Sequence, residues 1–278
     1  MTLDSGLPKL VTFDGEARSG KGTIVQATKD YLRDECGYKV MLIDAGQVFR
    51  VLVVGATNAG VDMEDAGAID AFLGNDEEAD KCVQLVKDVY HMSKEERDAL
   101  LYTNEVGANS AKIGARPLSQ DFKDELLKKW LRDARVEGYE VVLLDGRALE
   151  ETGLMLAKEK LCEFVMGLYF VCDAVMGARR TLGYASTPYN ELDESARAEV
   201  EELVEQIKAR NLADQTREVQ PIVRPIGAPI FTLPDTTGFT PSPERYMATV
   251  DTSADMSKAD MTMPLAEIVA RQLAQELS

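Results

Sequence analysis

KLVTFDGEARSGKGT, residues Lys9–Thr23, decides how the rest of the chain is read. Leu10, Val11 and Phe13 form an apolar run that stops at Asp14-Gly15, and Ile24-Val25 opens a helical pattern. Between them Gly15, four intervening residues (Glu16, Ala17, Arg18, Ser19) and Gly20-Lys21 match the core of a phosphate-binding loop set between strand and helix. Glycines let backbone N–H groups turn toward phosphate oxygens, and the helix start adds partial positive charge. Lys21 is expected to reach the β/γ-phosphates of a nucleotide, and Thr23 to offer its hydroxyl to Mg²⁺. Gly22 stands between them, so the hydroxyl residue comes one place after its usual position.

Downstream, Tyr38–Asp44 (YKVMLID), Tyr139–Asp145 (YEVVLLD) and Phe164–Asp173 (FVMGLYFVCD) are near-continuous apolar runs, the pattern of strands buried on both faces. Each is followed by a helical pattern rather than a hairpin turn, which predicts an α/β fold with a central parallel sheet flanked by helices. Ligands of open parallel sheets bind beyond the carboxyl ends of the strands. Asp14-Gly15, Asp44-Ala45-Gly46, Asp145-Gly146-Arg147 and Asp173-Ala174 all fall there. Residues 62–137 read as almost wholly helical, with a capping box at Ser93–Glu96 and Trp130 as a core anchor; Lys123, Lys128 and Lys129 read as a solvated face. Further helices are expected at Leu192–Asp214 and Pro264–Leu277, a short strand at Pro229–Leu233 and a last core strand at Met247–Asp251. No repeat and no flexible linker divides the chain.

Against 31 Lys and Arg stand 48 Asp and Glu, a net charge of −17, which argues against nucleic-acid binding. The four cysteines show no C-x-x-C pairing and fit reduced thiols. No apolar segment follows a basic start and no run is long enough to span a membrane, so a cytoplasmic protein without membrane contact is expected. The single histidine, His91, excludes histidine-pair metal sites and reads as a surface residue. Chemistry must therefore rest on lysine, arginine, carboxylates and a metal ion.

Arg210, Asp214 and Arg217 stand at i, i+4 and i+7, one face of a helix. Alone they would be a surface ion-pair ladder. Arg50, on the helical stretch that follows Asp44-Ala45-Gly46, and Arg147, at a strand end, mark the same crevice and suggest instead a set of guanidinium groups spread over phosphate oxygens.

The order of the phosphate loop, DAGQVFR, TNEVGANS, VVLLDGR and IKARNLADQTR is similar to that of cytidylate kinases across most of Lys9–Arg217, and more faintly to the chain end. The GKGT spelling is shared among nucleoside monophosphate kinases, whereas the D-x-G-x-x-[FY]-R and T-x-E-V pair is far more specific. The resemblance implies one P-loop kinase domain: a core of residues 8–50, 138–178 and 218–278, a helical acceptor-binding insertion over 51–137 and a mobile lid over 179–217. It implies ATP with Mg²⁺ as donor and CMP or dCMP as acceptor, giving CDP or dCDP. By the same resemblance Arg50, Arg147 and Arg217 grip the acceptor phosphate, Arg210 bridges phosphates, Asp214 holds the acceptor sugar and Arg179 lies near the donor. Ala45 and Asp145 fall in the acceptor site. Lys21, Arg147, Arg210 and Arg217 carry the transfer. Small nucleotides are the expected partners and a monomer the expected state.

The chain departs from the family at Ala17-Arg18 for serine and glycine, Ala45 for serine, Ala111 for serine, Gln120 for arginine and Ala148 for the second aspartate of D-G-R-D. Arg18 either keeps an ordinary backbone angle or weakens the loop. The β-strands of the family's insertion are replaced by helical sequence around 75–102. Two alternatives stay open: a kinase for another nucleotide or small metabolite, and a nucleotide-binding module without turnover. No N-K-x-D sequence supports a guanine-dependent switch.

Overall fold

A computed structural model describes residues 6–275 of the chain. Six strands, β1 (Lys9–Gly15), β2 (Val40–Asp44), β3 (Val141–Asp145), β4 (Glu163–Val171), β5 (Ile230–Thr232) and β6 (Met247–Asp251), form one parallel sheet in the order β2-β3-β1-β4-β6-β5. The central place of β1 follows from its side chains: Leu10, Val11, Thr12 and Phe13 are wholly buried, as a strand covered on both faces requires. Phe13 pairs with Asp145 on one side, and Gly15 with Phe170 on the other. The phosphate loop and the Asp145-Gly146-Arg147 turn therefore leave the sheet at one edge.

The helices α1 (Lys21–Asp34), α8 (Leu149–Lys158), α9 (Ala174–Leu182), α10 (Glu194–Thr216) and α11 (Lys258–Ala274) belong with the sheet. Ile24, Val25 and Leu32 of α1 and Leu265, Ile268, Val269 and Leu273 of α11 share one core with Phe13 and Phe170. Each such side chain contributes roughly 1.5–3 kcal/mol when taken fully out of water. The expected start of α11 at Pro264 is corrected. Ser257 caps the helix by accepting the Asp260 N–H, and Pro264 lies inside it. Leu277 falls outside the described residues.

Residues Asp44–Trp130 with Glu218–Gln220 form a second compact unit. It holds α2 (Ala45–Asn58), α3 (Ala66–Leu73), α4 (Asp76–His91), α5 (Lys94–Leu101), α6 (Asn104–Gly114) and the first part of α7 (Pro117–Val136). Side-chain caps explain why this helical stretch breaks where it does. Asp65, Asn75, Ser93 and Thr103 each accept a backbone N–H at a helix start, a contribution of about 1 kcal/mol apiece. Ser93 and Glu96 complete the capping box. Gly55 lets α2 approach its neighbours: a Cβ there would lie 2.6 Å from Cys82 Sγ. Trp130 packs, partly buried, against the core of Leu52, Phe72, Ile113 and Leu126. His91 is exposed at the end of α4.

The reading of Lys123 as solvated is wrong. It is 1 % exposed, pairs with Asp124 at 3.0 Å and donates to Gln220 Oε1 at 3.2 Å. The cause is tertiary: Glu218–Gln220 return to this unit and cover the lysine. Lys129 is exposed and Lys128 is partly covered.

Candidate active site

The phosphate loop is built by backbone constraints first. Gly15 ends β1 with φ 140°, and a Cβ there would lie 2.3 Å from the Phe170 carbonyl, so only glycine fits. Glu16 N–H donates to that same carbonyl at 2.9 Å. Ser19 is buried, its Oγ donating to Glu16 O at 2.9 Å while its own carbonyl accepts Thr252 Oγ1 at 2.9 Å. Gly20 (φ 83°) is the N-cap of α1. The ordinary backbone angle expected as one option for Arg18 is corrected: its φ is 59°. That left-handed conformation costs roughly 1–2 kcal/mol for a residue with a Cβ. The Arg18 side chain is exposed, and its carbonyl lies so near α9 that a Cβ on Gly177 would be 3.0 Å from it.

Lys21 opens α1. Its Nζ is in close contact with the Asp145 carboxylate and donates to Gly146 O at 2.9 Å. Gly22 and Thr23 are exposed on the same first turn. Asp14, 3 % exposed, accepts Gly15 N–H at 2.6 Å and Leu149 N–H at 2.8 Å. It thereby caps α8, whose own N-cap residue, Ala148 (φ 56°), makes no side-chain cap. Burial pushes the Asp14 carboxyl up, against the lowering effects of Leu149 N–H, Lys21, Gly15 N–H and Arg147.

Arg147 and Arg210 share one counter-ion. Arg147 Nη1 is in close contact with Asp214 Oδ2, and Arg210 Nε lies 4.0 Å from the same oxygen. Arg217 does not continue their helical face. It follows the last residue of α10 with extended angles (φ −65°, ψ 147°), which corrects the single-face arrangement expected from spacing. Arg217 is nevertheless near enough to act electrostatically: burial, then Arg210, then Arg217 bring Arg147 down to about 10, opposed by Asp14. Burial also lowers Arg217, against the pull of Asp14. Like charges crowded in this way favour the arrival of an anion.

Arg179 is placed differently. It is 6 % exposed, and its Nη2 donates to Ala185 O at 2.9 Å, contacts Thr187 O and lies 3.6 Å from Asp255. Its guanidinium holds the loop after α9.

In the second unit, Ala45 is the buried first residue of α2, and Arg50 lies one turn later. Arg50 Nη1 donates to Leu101 O at 2.8 Å, and the guanidinium sits 4.5 Å from the centre of the Tyr102 ring. Tyr102 in turn donates its hydroxyl to Asp44 Oδ2 at 3.0 Å, while Asp44 Oδ1 caps α2 through Gln47 N–H. Burial, then the Asp44 charge, push the Tyr102 phenol up. Gln120 is 4 % exposed and its Nε2 donates to Gly114 O at 2.5 Å. The sequence places Asp14 at a ligand-facing strand end without showing that it caps α8, and it does not single out Tyr102; the signal that could have found Tyr102 is an aromatic side chain just before TNEV.

A family profile described as cytidylate kinase matches residues 11–240. A protein named cytidylate kinase from Shewanella pealeana is 26% identical over 224 residues, covering 77% of this chain and 83% of its own. One of the same name from Shewanella amazonensis is 27% identical over 239 residues, covering 82% and 87%. Another, from Pseudomonas aeruginosa, is 25% identical over 224 residues, covering 78% and 85%. With the phosphate loop, the Asp145–Arg147 turn and the α10 arginines all inside the matched span, the chain belongs to the cytidylate kinase family.

Proposed function

We propose that this protein transfers the terminal phosphoryl group of ATP to CMP or dCMP, giving CDP or dCDP. The observation that carries this reading is the cation set of the strand-bearing unit. Lys21 stands at the phosphate loop, while Arg147 and Arg210 converge on the single carboxylate of Asp214. Phosphoryl transfer asks for charge spread over several oxygens and little covalent help from the protein. In this reading Gly15–Thr23 hold the donor phosphates, and Lys21 follows the transferring group. Arg147, Arg210 and Arg217 carry the charge that develops, and Arg50 grips the acceptor phosphate beside Ala45. Asp145 keeps Lys21 in place until nucleotide arrives, and Asp214 passes from counter-ion to partner of the acceptor sugar. Arg179 shapes the loop next to the donor.

Mg²⁺ is a hard cation that keeps several waters and takes few protein ligands. The exposed Thr23 hydroxyl on the first turn of α1 fits such a role. When bound with ATP the ion would neutralise charge on the β- and γ-phosphates. We read residues 51–137 as the acceptor-binding insertion, 179–217 as the lid and 8–50, 138–178 and 218–278 as core. We further read the protein as a cytoplasmic monomer acting on free nucleotides. Among the described residues no helix is long and apolar enough to cross a membrane.

ADP release from ATP and Mg²⁺ is the test, measured against CMP, dCMP, UMP, AMP, GMP and dTMP. Release with CMP and dCMP well above the others is expected. ADP release that no monophosphate stimulates would refute the proposal.

A further inference from the structure

Asn211 lies on α10 between Arg210 and Asp214, half-buried. Its Oδ1 accepts the backbone N–H of Ala17 at 2.9 Å, a bond across 194 positions of sequence that ends on the phosphate loop. The Ala17 methyl is buried with Ala178, Val200, Val204 and Ile207 of α9 and α10. Loop and helix are thus joined by an apolar contact and by one directional bond. The two do different things. Apolar packing is non-directional and tolerates rotation of a helix about its axis. A hydrogen bond weakens steeply with angle and so selects one rotation. Residues 211 and 214 lie three apart, on neighbouring positions of the helix surface. The rotation that brings Asn211 to Ala17 therefore also sets where Asp214, and with it Arg210, can meet Arg147. A buried N–H without a partner carries a desolvation penalty, which favours keeping this bond.

We propose that Asn211 is a positioning residue that sets α10 upon the phosphate loop and thereby couples donor binding to acceptor binding. The proposal rests on the reading that the loop holds ATP and that the α10 arginines serve the acceptor side. Coupling of this kind is reciprocal: a donor that tightens acceptor binding by a given factor is itself tightened by the same factor. Asn211 touches neither ligand in this account, so its loss should abolish the factor while leaving each separate affinity nearly intact.

The test uses the full chain and measures the Kd of CMP with and without a non-hydrolysable ATP analogue, then the Kd of the analogue with and without CMP. Asn211→Leu keeps the size and removes the acceptor; Asn211→Asp keeps an acceptor oxygen. In the wild type each ligand is expected to tighten the other at least about fivefold, the low end of typical coupling. Asn211→Leu should bring both ratios to within twofold of unity, with single-ligand affinities within about threefold of wild type and a lower kcat. Asn211→Asp should retain most of the ratio. An unchanged ratio in Asn211→Leu, a loss in Asn211→Asp as large as in Asn211→Leu, or no coupling in the wild type would each overturn the proposal. Melting curves establish that both variants are folded, and if Asn211→Leu does not fold the decision falls to Asn211→Asp. Absence of any CMP or ATP binding by the wild type would instead strike the functional reading itself.

Discussion

The cations of the two units are held by different means. In the strand-bearing unit Lys21 rests on Asp145, and Arg147 and Arg210 rest on Asp214. In the helical unit Arg50 makes no ion pair among the described residues and is held by the Leu101 carbonyl and the Tyr102 ring. A cation placed by a carboxylate is well oriented but partly neutralised, and its counter-ion must yield when phosphate arrives. A cation placed by a dipole and a π-face keeps its whole charge for the ligand. The first arrangement suits groups that act as charge moves; the second suits a group that only has to hold a phosphate.

The largest effect expected is that of Lys21→Ala. Loss of a single transition-state donor costs roughly 2.7–4 kcal/mol, or 10²–10³ in kcat. Circular dichroism should show an intact fold. A variant within threefold of wild-type kcat would remove the first half of the comparison.

Next comes Asp214→Ala, which leaves Arg147 and Arg210 without their shared carboxylate. Breaking a fully buried pair costs about 3–5 kcal/mol. These side chains keep some exposure, so about 2 kcal/mol is expected after screening. Urea titration reads it, and CMP should restore much of the loss. Arg50→Ala orphans no counter-ion but removes the Leu101 hydrogen bond and the Tyr102 contact, so a smaller loss of about 1.4 kcal/mol is expected. Equal losses in the two variants would break the comparison.

Tyr102→Leu should raise the KM for CMP about tenfold and leave the KM for ATP unchanged. Loss of a cation–π contact and one hydrogen bond is worth about 1.4 kcal/mol together. Tyr102→Phe keeps the ring and should show a smaller rise. If both variants behave alike, the Asp44 hydrogen bond, not the π-face, holds Arg50.

The smallest effect is at Ala148, left-handed at the start of α8 and making no side-chain cap of its own. Aspartate tolerates that conformation and is a favoured N-cap, so Ala148→Asp should stabilise by about 1 kcal/mol. It should also raise kcat/KM for CMP relative to UMP. A CMP preference above about a hundredfold in the wild type, unaltered by the substitution, would show that other residues read the base.

The sheet, the phosphate loop and the long helices were legible because their signals are local. Buried parallel strands are unbroken apolar runs, and the glycine spacing of Gly15–Gly20 has few other uses. What escaped depends on distant chain. Lys123 resembles its neighbours Lys128 and Lys129 until Glu218–Gln220 cover it. Arg217 follows the i+7 spacing, yet α10 ends one residue earlier. Pro264 imitates a first-turn proline although Ser257 already caps the helix. Tyr102 has no periodicity to mark it, since its role arises where the end of α5 meets α2. The positive φ of Arg18 runs against the residue's own preference and is visible only in the backbone.

Gly177 is 159 positions downstream of Arg18 and carries none of the expected phosphate contacts, yet a methyl group there would press on the Arg18 carbonyl. A genetic screen for loss of nucleotide binding should therefore recover Gly177 alleles beside those of Gly15 and Lys21. Their suppressors should arise in the loop itself, where a smaller or more pliable residue at position 18 gives the displaced carbonyl somewhere to go.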